Sequence, residues 1–77
     1  MPTIIILGPV KIKIYPHDHR PPHVHAIGPD CEAKFELDGF DCIFSRGFSG
    51  KDIKRLQEYL QKNQEILWEA WNEYQEK

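Results

Sequence analysis

Cys31-Glu32-Ala33-Lys34-Phe35-Glu36-Leu37-Asp38-Gly39-Phe40-Asp41-Cys42-Ile43-Phe44-Ser45 decides the fold. Asp38-Gly39 is a two-residue hairpin signal, because a type I′ turn needs positive φ at both central positions. A turn there sets Leu37 opposite Phe40, Phe35 opposite Cys42 and Ala33 opposite Phe44, with all six residues on one face. Glu32, Lys34, Glu36, Asp41, Ile43 and Ser45 fall on the other. A one-residue slip would destroy this separation, so the register is well specified. Cys42 then packs as a small hydrophobe beside Phe35. Cys31 lies about 13 Å further along the strand, too far for an internal disulfide.

Upstream of the hairpin the chain keeps strand character. Ile4 to Leu7 is a β-branched run that ends at the turn signal Gly8-Pro9. Val10-Lys11-Ile12-Lys13-Ile14 alternates apolar with basic residues, so one face is buried and one wet. Pro22 to Ile27 reads as a further strand. Two joints to the hairpin are open. A Pro29-Asp30 turn pairs Gly28 with Cys31, Ala26 with Ala33 and Val24 with Phe35, placing Val24 and Ala26 in the core and His23 and His25 on the polar face. A three-residue Gly28-Pro29-Asp30 loop instead turns both histidines into the apolar layer. The first is favoured, because it buries apolar side chains and exposes polar ones.

Downstream, the period changes at Ser49-Gly50-Lys51-Asp52, which resembles a capping box. Ser49 can accept from an early amide, and Asp52 suits the positive end of the helix dipole. Ile53, Leu56 and Leu60 follow at helical spacing, and Leu67, Ala70, Trp71 and Tyr74 continue the stripe. Asn63 is placed to end one helix and cap a second. Trp68, Trp71 and Tyr74 are candidate partner-binding residues, since aromatic rings dominate interface anchors. Completing a thin core is the favoured reading of the same rings.

The expected architecture is therefore α+β: a small antiparallel sheet of four to five strands, then one or two C-terminal helices. Residues 1–77 form one domain, with the sheet and a His/Pro loop in 1–47 and the helical part in 48–76. A chain of 77 residues buries only a thin core. With 40% hydrophobic and 29% charged residues, its composition is that of a soluble globular protein. No leader or membrane segment is read, because the apolar run Ile4–Leu7 is far shorter than the ~20 residues a membrane helix needs. The expected location is the cytoplasm.

The net charge of −2 argues against a general nucleic-acid coat protein. It hides a segregation. Residues 46–62 carry a balance of +3, from Arg46, Lys51, Lys54, Arg55 and Lys62 against Asp52 and Glu58. Residues 63–77 carry −3, from Glu65, Glu69, Glu73 and Glu76 against Lys77. Local contact with RNA or another anion is compatible with this. Direct DNA reading is not supported, because the basic stretch lacks a helix-turn-helix pattern.

All four histidines fall within nine residues, in His17-Asp18-His19-Arg20-Pro21-Pro22-His23-Val24-His25. Imidazole changes charge nearest neutral pH and is the commonest metal ligand. His23 and His25 are two apart on a strand and point to the same side. In one reading one imidazole is a base and another an acid, with Asp18 orienting one ring and Arg20 and Lys34 binding an anion. The catalytic candidates are then His19, His23, His25 and Asp18. In another, His19, His23 and His25 hold a divalent metal such as zinc with an open position. In the third, the rings only order a proline-rich loop. Whether the chain is an enzyme stays open.

The chain resembles the small bacterial domain-of-unknown-function family numbered 4160. The resemblance rests on Met1-Pro2-Thr3-Ile4, Ile12-Lys13-Ile14-Tyr15, Asp18-His19-Arg20-Pro21-Pro22-His23-Val24-His25-Ala26 and Glu65-Ile66-Leu67-Trp68-Glu69-Ala70-Trp71. It implies an α+β fold and a product of a two-gene cassette, a toxin neutralised by a small helix-turn-helix antitoxin. At Asn63 the family pattern often has another histidine, so no role at that position carries over. The expected function is the toxin-like component of a type II toxin–antitoxin system, acting through its His/Pro-rich surface and covered by an antitoxin-like partner. The alternatives are a non-enzymatic interaction module and a metal-dependent hydrolase or ribonuclease-like enzyme.

Overall fold

The computed structural model describes residues 3–14 and 22–75. Five strands come first: β1 (Thr3–Leu7), β2 (Val10–Lys13), β3 (His23–Ile27), β4 (Glu32–Glu36) and β5 (Cys42–Arg46). Two helices follow, α1 (Gly50–Lys62) and α2 (Gln64–Gln75). The strands form one antiparallel sheet in the order β1-β2-β3-β4-β5, so each strand pairs with its neighbour in the chain. The expected α+β class is the observed one.

Alternation along the strands sorts the side chains into two faces. Ile12, Val24, Ala26, Ala33 and Phe35 are wholly buried on one of them, with Ile14 and Leu37 just past the strand ends. The helices contribute Leu56, Leu60, Leu67 and Trp71 to the same core cluster. The β3–β4 register is Val24↔Phe35 and Ala26↔Ala33, and Gly28 N–H donates to Cys31 O at 2.8 Å. This is the Pro29-Asp30 turn favoured from the sequence.

The decisive hairpin differs from expectation in two respects. Phe35↔Cys42 is as read, but the pairing then shifts, giving Lys34↔Phe44 and Ala33↔Ser45. A bulge at Ile43 adds one residue to β5, and a strand's faces exchange beyond such an insertion. Phe44 therefore does not face Ala33 in the core; it is 44% exposed and lies over Lys34's side of the sheet. The second difference is the turn. Positive φ falls on Gly39 (88°) and Phe40 (56°) rather than on Asp38 and Gly39. The loop is closed by Glu36 N–H donating to Asp41 O at 2.9 Å. Left-handed backbone costs an ordinary residue about 1–2 kcal/mol. Burying the Phe40 ring to 2% exposure offsets that by about 1.5–3 kcal/mol. The Gln57 side chain of α1 donates to Phe40 O at 3.0 Å, tying helix to turn.

Both helix signals act as read. Ser49 adopts extended backbone (φ −75°, ψ 163°), and its hydroxyl accepts from Asp52 N–H at 3.1 Å. Asn63 ends α1: its N–H donates to Leu60 O at 3.1 Å and its side chain to Tyr59 O at 2.9 Å. Its own carbonyl accepts from Leu67 N–H at 3.2 Å, which starts α2. Among the described residues no helix is long and apolar enough to cross a membrane. Cys31 and Cys42 are both free thiols. Replacing Ser49 by alanine should lower the unfolding free energy by about 1 kcal/mol, and replacing it by glycine by only a few tenths. Urea denaturation of the two variants checks this; equal losses would remove the cap from the account.

Candidate functional site

The candidate site is built on β3, the central strand. Its alternation sends Val24 and Ala26 to the core face and His23 and His25 to the other. The two rings meet edge-on, with centroids 5.0 Å apart and planes at 64°. The expectation that they stand on a wet surface is corrected, because His23 is 8% exposed and His25 7%. Register fixes which face a side chain takes, but not what packs over it. One covering group is Trp71 of α2, whose ring centroid is 5.9 Å from that of His23.

The neighbouring strands surround the pair with charge. His25 is paired with Lys13 on β2 and with Lys34 on β4, and His23 with Glu36. The structure thus brings His23, His25 and Lys34 together. Lys34 in turn is opposite Phe44, with Nζ 5.9 Å from the ring centroid. His17, Asp18, His19 and Arg20 lie outside the described residues, as does the side chain of Tyr74. Trp71 is 2% exposed and so is not presented at the surface, whereas Trp68 is half-buried.

Two side chains in this neighbourhood were not placed at the histidine site from the sequence. Lys13 carried a signal, since β2's alternation puts it on the wet face. Its place beside His25 depends on the β2–β3 register, and the nine residues between those strands are too long a connection to announce it from the sequence. Trp71 was marked as a core or interface ring, but its approach to His23 depends on the path of α2, which periodicity does not give.

Chemically, two imidazoles this close can share acid and base roles, or supply two of the three nitrogens of the zinc reading. Among the described residues no three His, Cys, Asp or Glu side chains converge as metal ligands, and the third nitrogen expected, that of His19, falls outside them. With so little ring exposed, a substrate atom reaches the pair only where the covering groups part. A family model described as Domain of unknown function (DUF4160) matches residues 10–72. No curated protein and no solved structure gives a match.

Proposed function

The chain belongs to the DUF4160 family, and from that membership and the histidine geometry we propose that it is the toxin-like component of a bacterial two-gene toxin–antitoxin pair. The observation that carries the reading is the His23–His25 pair, 5.0 Å apart, with Lys34 opposite His25 and the Asp18–Pro21 segment leading into it. In this reading His23 and His25 move protons for an anionic target held by Lys34 and Arg20, and His19 and Asp18 complete the site. An antitoxin-like partner neutralises the protein by covering this surface or the helices.

The test is expression of the chain alone in a bacterial host, in the cytoplasm. Growth arrest is expected, relieved by co-expression of the product of the neighbouring gene. Because both rings are buried, glutamine is the replacement to use, since it keeps volume and a hydrogen-bonding end. His23→Gln/His25→Gln should abolish arrest, in line with the ~100- to 10,000-fold that acid–base groups contribute, with the melting transition retained. Continued arrest by a folded double variant sinks the catalytic role.

A second reading, a non-enzymatic interaction module, is favoured by one observation: both histidines are under a tenth exposed and one lies against Trp71. There the rings fasten β3 to α2. That version of the protein loses thermal stability in the double variant and keeps partner binding at low temperature.

A further inference from the structure

The register places side chains in a row that runs across the sheet. On the face opposite the core, Lys13, His25, Lys34 and Phe44 are consecutive cross-strand partners on β2, β3, β4 and β5. The row beside it holds Lys11, Ile27, Glu32 and Arg46. Neighbouring strands lie about 4.8 Å apart. Lys13 and Lys34 are therefore roughly 10 Å apart across His25, and Phe44 is one strand further on. Along β2, Lys11 and Lys13 are separated by about 7 Å.

Three properties make this face unlike an ordinary solvated surface. The acid of the second row is already engaged, since Glu32 lies 3.6 Å from Arg46. Lys11 and Lys13 flank a concavity of about 300 Å³ that is also lined by Pro9, Ile27, Gly28 and Pro29. The bulge at Ile43 turns Phe44 outward at the end of the row, where the ring is 44% exposed and carries the Lys34 ammonium over it at 5.9 Å from the centroid.

We infer that this face binds single-stranded nucleic acid, with the phosphates along Lys11, Lys13 and Lys34 and a base stacked on Phe44. A lone phosphate can engage the lysines but leaves the Phe44 ring uncontacted, whereas a nucleotide chain reaches lysines and ring together. The exposed ring requires an unstacked base, which a duplex does not offer. An acidic peptide would satisfy the lysines and offer the exposed part of the Phe44 ring no stacking partner. The assignment stands on the sheet register and is separable from the toxin reading.

The experiment is fluorescence anisotropy of the whole chain with an RNA of about ten nucleotides, the DNA of the same sequence, and an acidic peptide of matching charge. Single strands release about 0.7 counterion per neutralised phosphate, so three contacts give a log–log salt slope near −2 and roughly a 20-fold loss between about 50 and 200 mM salt. Lys13→Gln/Lys34→Gln should reduce the slope to about −0.7. Phe44→Ala should weaken binding roughly tenfold with the slope unchanged. Lys54→Gln/Arg55→Gln, on exposed positions of α1, should change neither. Tighter RNA than DNA assigns the ligand to RNA through its 2′-hydroxyl; equal affinity assigns it to single strands of either sugar. Absence of saturable oligonucleotide binding at low salt overturns the inference, as does equal binding of the peptide or loss carried by the α1 variant instead. Oligonucleotide binding without growth arrest would sink the toxin reading and leave this one standing.

Discussion

Trp71→Ala is expected to lower the unfolding free energy by about 3–5 kcal/mol, the usual cost of deleting a buried indole. The ring is 2% exposed, belongs to the core cluster with Leu56, Leu60 and Leu67, and lies 5.9 Å from His23. At about 0.05–0.15 kcal/mol per residue, a domain of 77 residues has only about 4–12 kcal/mol in total. The variant should therefore be largely unfolded or show a much earlier urea midpoint. Ile66→Ala, on the same helix at 52% exposure, should stay within about 0.5 kcal/mol of the parent. If Trp71→Ala proves as stable as Ile66→Ala, the ring is not a core element. The expectation also governs functional assays. Activity lost on removing Trp71 reports unfolding, whereas Trp68, half-buried, remains the fairer probe of a partner contact.

Wherever an element is set by local chemistry, the sequence was enough to place it. The Ser49 cap, the break at Asn63 and the Pro29-Asp30 turn each rest on residues within a few positions of one another, and each stands in the structure. The Asp38-Gly39 hairpin was legible to Phe35↔Cys42 and no further. Alternation predicts faces only while every residue is paired, and nothing in Asp41-Cys42-Ile43-Phe44 marks Ile43 as the extra one. Phe40 shows the same limit from another side. A non-glycine residue with φ of 56° is disfavoured locally, and it is held there by burial of its ring and by Gln57, 17 positions away.

For the site, direction was legible and environment was not. The favoured turn placed His23 and His25 together on the face away from Val24 and Ala26, and they are there. The burial of His23 was not legible, because Trp71 of α2 reaches it from the far end of the chain. The cationic row through His25 was half legible. Lys34 followed from β4 and the favoured turn, but Lys13 needed a pairing across a connection with no turn signal, and Phe44 needed the bulge. Long-range register was missing for Lys13, the path of α2 for His23, and the bulge for Phe44.

Gly47→Ala is the second substitution expected to be severe, and its cause differs from that of Trp71. Gly47 has φ of +85°, which alone costs a residue bearing Cβ about 1–2 kcal/mol. An added Cβ would lie 2.5 Å from Asp30 O, 2.9 Å from Cys31 Cβ and 3.0 Å from Cys31 Cα. Two of those atoms are backbone of the β3–β4 connection, so they cannot swing aside as the end of a flexible side chain would. The chain must pass this point closely to lead from β5 into α1, whose Leu56 and Leu60 belong to the core. Backing it away would lift the start of the helix from the sheet. A total loss of about 3 kcal/mol or more is expected, in the range reserved for strained or overpacked positions. Gly39→Ala provides the comparison, because its φ of +88° is nearly the same and nothing lies within 4 Å of its added Cβ. That variant should lose about 1–2 kcal/mol, the backbone cost alone. The difference between the two urea curves then measures the close approach itself. Equal losses would mean that the β5–α1 connection moves freely away from Asp30 and Cys31, and that its tight path does not position the helix.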